Sequence, residues 1–188
     1  MNETRPSLPS ADTADQGSKG VRAVFFDRDG VLIIDKGYLR EPEEIRWVAG
    51  AQNALARLAA HGYRLFVVSN QSGVARGYFK EEAVRRVHAA LQAALPAQAQ
   101  IAEFAYCPHH PDGSVARYAT ACDCRKPASG MLKRLIAKHG IDRDASFLIG
   151  DRPSDLAAAK GAGVQGFLFT SGNLDQFVTQ LLSGHVAG

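Results

Sequence analysis

Two short stretches, Val24-Phe25-Phe26 and Leu65-Phe66-Val67-Val68, are apolar at every position. A strand with one face in water alternates apolar and polar residues, so an unbroken apolar run of this length fits a strand covered on both faces. Such strands occur in parallel sheets sandwiched between helices. The rest of the chain has the same rhythm. Strands are predicted over 21–27, 63–69, 101–106, 146–150 and 164–170, and helices over 51–61, 80–95, 129–139, 154–161 and 174–182. This alternation defines an α/β fold, a Rossmann-like parallel sheet with helices on both faces. Residues 21–188 are expected to form a single domain, with no insertion long enough for a large cap domain. Residues 1–20, rich in Ser, Asp, Thr, Gly and Pro, read as a disordered leader. Two excursions break the rhythm, at 30–50 and 107–127, and long loops inside compact domains tend to be functional.

The formal net charge of +3 is small and dispersed, so it gives no argument for nucleic acid. Arg85 and Arg86 are bracketed by Glu81 and Glu82, as on a solvated helix face. No apolar run approaches a membrane span, and the N-terminus has no apolar signal core, so a cytoplasmic location is expected. All three cysteines lie between 107 and 124, a spacing that suits a metal in a reducing compartment better than a disulfide framework.

Ligands of open α/β sheets bind beyond the carboxyl ends of the strands, and three strand ends here carry polar punctuation. The first reads Asp27-Arg28-Asp29-Gly30. Alternate strand residues share a face, so the two carboxylates are expected to converge where the strand stops. Two neighbouring acids repel unless a cation or a proton lies between them. A Mg²⁺ site, an acid/base pair, a nucleophile beside its proton donor, or a plain Asp-Gly turn all fit this segment. The second, Ser69-Asn70-Gln71-Ser72-Gly73, offers hydroxyl, amide and backbone donors that suit phosphoryl oxygens, and equally suits a cap and turn. The third, Gly150-Asp151-Arg152-Pro153-Ser154-Asp155, offers Asp151 to an oxygen-rich Mg²⁺ site with Asp27. Here Ser154 reads as the helix N-cap and Asp155 as a first-turn acid. Arg125-Lys126-Pro127 adds two cations at a helix entry.

Cys107-Pro108-His109 and Cys122-Asp123-Cys124, with twelve residues between His109 and Cys122, supply three thiolates and an imidazole. Cys107, His109, Cys122 and Cys124 suit a tetrahedral, closed and therefore structural Zn²⁺ site, with His110 as an alternative fourth ligand. Such a centre would pin the second excursion and present Arg125 and Lys126 just beyond it.

Taken in order, strand–D-x-D-G-V, strand–S-N, K-P and strand–G-D-x-x-x-D resemble the haloacid dehalogenase superfamily of phosphohydrolases, from residue 21 to roughly 169. The resemblance implies that Asp27 attacks phosphorus and that Asp29 is the general acid and base. It also implies that Ser69 and Lys126 hold the phosphoryl group. Catalytic Mg²⁺ would be bound by Asp27, Asp151 and the backbone carbonyl of Asp29. The stretches C-P-H-H-P-D-G-S…C-D-C-R-K-P, D-K-G-Y and S-N-Q-S-G-V-A-R-G are similar to the heptose-bisphosphate phosphatase branch. Its members remove the 7-phosphate from D-glycero-D-manno-heptose 1,7-bisphosphate. By that resemblance Asp35, Lys36, Gly37 and Tyr38 line the sugar site, and Asn70, Gln71 and Ser72 touch phosphate and sugar. Arg125 recognises the second phosphate, and Arg152, where many members carry Lys, is a further substrate contact. The implied partner is a small phosphorylated sugar, with no nucleic acid or membrane, and the chain is expected to be a monomer. The alternatives are a histidinol-phosphate phosphatase, whose zinc loop is shorter, and a catalytically silent zinc-ordered binding module.

Overall fold

The structure is a computed structural model that describes residues 20–184. The expected leader lies, apart from Gly20, outside the described residues. Strands β1 (Ala23–Phe26), β2 (Arg64–Asn70), β3 (Ile101–Cys107), β4 (Phe147–Gly150) and β5 (Gln165–Leu168) form one parallel sheet in the order β3-β2-β1-β4-β5. Between and after them run α1 (Ala51–Ala60), α2 (Glu81–Ala93), α3 (Gly130–His139), α4 (Pro153–Ala162) and α5 (Leu174–Leu182).

The apolar runs are covered on both faces, as their composition requires. Val24 and Phe26 pack in one cluster with Leu55 and Leu58 of α1 and Val178 and Leu181 of α5. Ala23 and Phe25 point the other way, into a cluster with Met131, Leu132 and Leu135 of α3 and Ala158 and Ala159 of α4. Burying each such large side chain contributes roughly 1.5–3 kcal/mol, which fixes the register of the central strand. The excursion at 30–50 is tied down separately: its Ile33 and Leu39 pack on Val87 and Leu91 of α2. The excursion at 107–127 is held by backbone bonds from Ala75 N to Pro108 O (3.1 Å) and from Val115 N to Ala75 O (2.9 Å).

Two local expectations need correction. β1 stops at Phe26, so Asp27 and Asp29 are not alternate positions of a strand. The chain turns instead, and the amides of Leu32 and Ile33 both donate to Arg28 O (3.0 Å each). Ser154 is not the cap of α4. Arg152 occupies that position with Pro153 following, a place where the missing proline N–H costs nothing, and the Asp155 carboxylate accepts from Arg152 N (3.0 Å). No helix among the described residues is long and apolar enough to cross a membrane.

Candidate active site

Beyond the carboxyl ends of β1, β2 and β4 lies a cleft of about 520 Å³. Its walls include Asp27, Asp29, Asp35, Gly37, Tyr38, Asn70, Gln71, Ser72, Arg125, Lys126 and Arg152. Strand ends deliver the acids and amides, and the two excursions supply the side walls, in place of a separate cap.

At the floor, Lys126 Nζ lies 2.9 Å from Asp27 Oδ1 and 2.6 Å from Asp155 Oδ1, and donates to Val68 O at 2.8 Å. All three charged groups are buried. Oxygens of Asp27, Asp151 and Asp155 lie within 4.8 Å of one another, and Asp151 Oδ1 is buried without a hydrogen-bond partner. Three carboxylates against one ammonium leave an excess of negative charge, and an all-oxygen donor set fits a hard cation such as Mg²⁺. The Asp27 carboxyl is raised to about 7: burial raises it most, Lys126 pulls it back, and the charges of Asp155 and Asp29 add to the rise. Burial alone would depress Lys126, but the charges of Asp27 and Asp155 hold it above the ordinary lysine value. A divalent cation here would favour the ionised form of Asp27.

Asp155 is the residue of this floor that sequence reasoning passed over as a helix-turn acid. The signal lay in the glycines. A Cβ at Gly150 would meet Asp155 Cβ at 2.2 Å, and one at Gly30, where φ is +86°, would meet Asp151 Oδ2 at 2.4 Å. Both glycines let the backbone approach a carboxylate that any side chain would displace.

Asp29 is held by a neighbour the sequence did not single out. Arg28 is fully buried, and its Nε and Nη2 donate to the two carboxylate oxygens of Asp29 at 3.1 Å each. Gln71 completes the network: Nε2 donates to Asp29 Oδ2 (3.0 Å) and Ser69 Oγ (2.7 Å), and Oε1 accepts from Arg28 Nη2 (3.0 Å). Ser69 is buried and does not line the cleft, its oxygen being engaged by Gln71. Asn70 clamps the lysine segment, with Nδ2 donating to Lys126 O (2.9 Å) and Oδ1 accepting from Lys126 N (3.0 Å).

Around the mouth, Arg152 Nη2 donates to Asp35 Oδ2 at 2.8 Å, and its Nε lies 3.5 Å from Asp151 Oδ2. Tyr38 packs edge-on against Tyr78, with ring centroids 4.6 Å apart. Lys36 does not line the cleft. It borders an adjoining hollow that shares Gly37 and Tyr38 with it.

The second excursion brings Cys107, His109, Cys122 and Cys124 together, their ligand atoms within 4.8 Å of one another. Cys124 Sγ lies 3.0 Å from Cys107 Sγ and 3.2 Å from Cys122 Sγ, and His109 Nδ1 lies 3.4 Å from Cys124 Sγ. Three sulfurs and one ring nitrogen at this spacing fit a tetrahedral zinc ion. His110 is outside the cluster: its Nε2 faces Arg76 Nη2 at 3.3 Å. Tyr118 of this loop and Tyr106 of β3 both donate to the carboxylate of Glu81, tying the loop to the start of α2.

Asp27 and Lys126, with carboxylates placed so that they could hold a cation, sit at the carboxyl end of a parallel sheet, the place and chemistry of a phosphatase of the haloacid dehalogenase class. A HAD-hydrolase-like family model matches residues 123–182. The D-glycero-beta-D-manno-heptose-1,7-bisphosphate 7-phosphatase of Rhodopseudomonas palustris is 44% identical over 85% of this chain and 89% of its own. That of Escherichia coli K12 is 39% identical over 78% of each chain. Among solved structures, the D,D-heptose 1,7-bisphosphate phosphatase of B. bronchiseptica, complexed with magnesium and phosphate, superimposes with a TM-score of 0.72 at 30% identity, covering 85% of this chain and 87% of its own. The chain belongs to the D-glycero-D-manno-heptose 1,7-bisphosphate 7-phosphatase family.

Proposed function

We propose that this protein hydrolyses the 7-phosphate of D-glycero-D-manno-heptose 1,7-bisphosphate, and that it takes the β anomer that the relatives' names specify. The observation that carries the reading is the Lys126 ammonium shared between Asp27 and Asp155 at the edge of a cation-binding carboxylate set. Asp27 and Asp151, with the backbone carbonyl of Asp29, would hold Mg²⁺, which offsets the repulsion between carboxylate and phosphate and stabilises charge on the transferring oxygens.

The chain's own residues then divide the chemistry. Asp27 attacks phosphorus and forms an aspartyl phosphate as the bond to the sugar C7 oxygen breaks. Asp29 delivers a proton to that oxygen, then takes one from the water that hydrolyses the aspartyl phosphate, releasing inorganic phosphate and regenerating Asp27. Lys126 binds the equatorial phosphoryl oxygens, and Asp155 keeps its ammonium in place. Ser69, buried behind the cleft wall, accepts from Gln71 and so steadies the amide that bonds Asp29. Asn70, Gln71 and Ser72 face the phosphate and sugar, Asp35 to Tyr38 line the sugar site, and Arg125 and Arg152 meet the non-reacting phosphate, for which a guanidinium fork is well shaped.

The same reading makes Cys107, His109, Cys122 and Cys124 a structural zinc site that holds Arg125 and Lys126 against the cleft. It makes residues 21–188 one catalytic domain behind a short leader, acting as a monomer in the cytoplasm. There it would supply nucleotide heptose for lipopolysaccharide. Steady-state kinetics on both heptose bisphosphate anomers and histidinol phosphate, with Mg²⁺ varied, tests the assignment. A preference for histidinol phosphate overturns the substrate, and Mg²⁺-independent turnover overturns the mechanism.

A further inference from the structure

Arg28 is 1% exposed, and a guanidinium in the interior is costly unless its donors are met. Three of its N–H groups are accounted for by Asp29 and Gln71. Its Nη1 is buried and has no hydrogen-bond partner. On the buried face of α2, His88 Nε2 is in the same position, its ring stacked on Phe104 (centroids 4.6 Å apart, 19° between planes). That face lies against the Arg28 turn: Val87, one residue before His88, packs on Ile33, whose amide bonds to Arg28 O. Burial first, and then the positive charge of Arg28, depress His88 to about 3, so the ring is neutral and offers one lone pair. An unpartnered donor and an unpartnered ring nitrogen thus lie in one buried region, near enough for the Arg28 charge to act on His88.

We propose that His88 accepts a hydrogen bond from Arg28 Nη1 through one bridging water, and is a positioning residue for Asp29. His88 anchors the far side of the guanidinium, and the near side, with Gln71, orients the Asp29 carboxyl toward the leaving oxygen. The inference rests on the reading of Asp29 as the proton shuttle. It assigns a task to a helix residue that does not line the cleft.

The two esters that separate a shuttle from a merely structural role are the sugar bisphosphate and p-nitrophenyl phosphate. The sugar alkoxide needs a proton to leave and nitrophenolate does not. In H88F the ring still stacks on Phe104 but cannot accept. Its kcat/KM is expected to fall about tenfold on the sugar bisphosphate and less than about twofold on p-nitrophenyl phosphate, a small part of the general-acid contribution. H88Q, which keeps an acceptor, should hold both values within about threefold of wild type. Unchanged values in H88F, or equal losses on both esters, overturn the proposal. If H88F does not fold, H88M, which fills the space flexibly, is read the same way. D29N, measured alongside, tests the underlying reading separately: an equal loss on both esters there removes the shuttle role whatever H88F does.

Discussion

Lys126 Nζ lies closer to Oδ1 of Asp155, at 2.6 Å, than to Oδ1 of Asp27, at 2.9 Å. The lysine is therefore anchored by the acid from α4 and only shared with the proposed nucleophile. Anchoring fixes the ammonium before substrate arrives, so little reorganisation is left for the reaction itself. Sharing leaves Asp27 incompletely neutralised, which is the condition under which it both attracts a divalent cation and remains able to attack.

Asp155→Asn should keep the fold and weaken the anchor. The expected outcome is a kcat reduced about a hundredfold, in the range seen when one preorganised electrostatic contact is removed. The Mg²⁺ concentration for half-maximal activity should rise, because one negative charge leaves the cluster. Mg²⁺ titration of activity measures both. An unchanged kcat would mean that Lys126 is held well enough by Asp27 and Val68 O alone.

His88 gives the folded state a definite pH dependence. Its folded pKa, about 3, lies below the 6.5 of an unperturbed histidine. Between those values the unfolded chain binds a proton that the folded chain does not, so stability rises with pH through this window and is lost as pH falls below about 6.5. The slope from this one group is at most roughly 1.4 kcal/mol per pH unit. Urea denaturation at pH 7 and pH 5 should therefore show a larger loss in wild type than in H88Q.

Removing zinc should loosen one wall of the cleft and leave the sheet intact. Purified protein is expected to contain one zinc per chain, as counted by metal analysis. Cys124→Ser should lower the melting temperature and raise KM for the bisphosphate more than it lowers kcat. Arg125 follows the last ligand directly, and an untethered loop no longer presents it. A zinc-free protein with unchanged KM would refute this role.

Arg152 and Asp35 close the mouth of the cleft with an ion pair whose arginine side chain is 62% exposed. Pairs this exposed contribute little to stability, on the order of 0–1 kcal/mol. Asp35→Asn should thus leave the melting temperature within measurement error. It should change KM for the bisphosphate severalfold, because the guanidinium is no longer held across the cleft. Differential scanning fluorimetry and steady-state kinetics, run together, separate the two effects.

Periodicity and local spacing determined a good part of this protein. The apolar runs at 24–26 and 65–68 specify a sheet covered on both faces, and all five strands and five helices were legible, to within a few residues at their ends. The clustering of Cys107, His109, Cys122 and Cys124 was equally readable, because the four lie within one short stretch from the end of β3 to residue 124. Asp27, Lys126 and Asp151 also came together as expected. What tertiary structure decided are the pairings between distant segments: Asp155 with Lys126, Arg152 with Asp35, and the buried Arg28 with Gln71. A charged residue looks the same in sequence whether it is solvated or buried, and Asp155 at a helix start and Arg28 in a turn each have an ordinary local explanation. Only the folded chain shows which charges have left water, and a buried charge takes its role from the partner that compensates it.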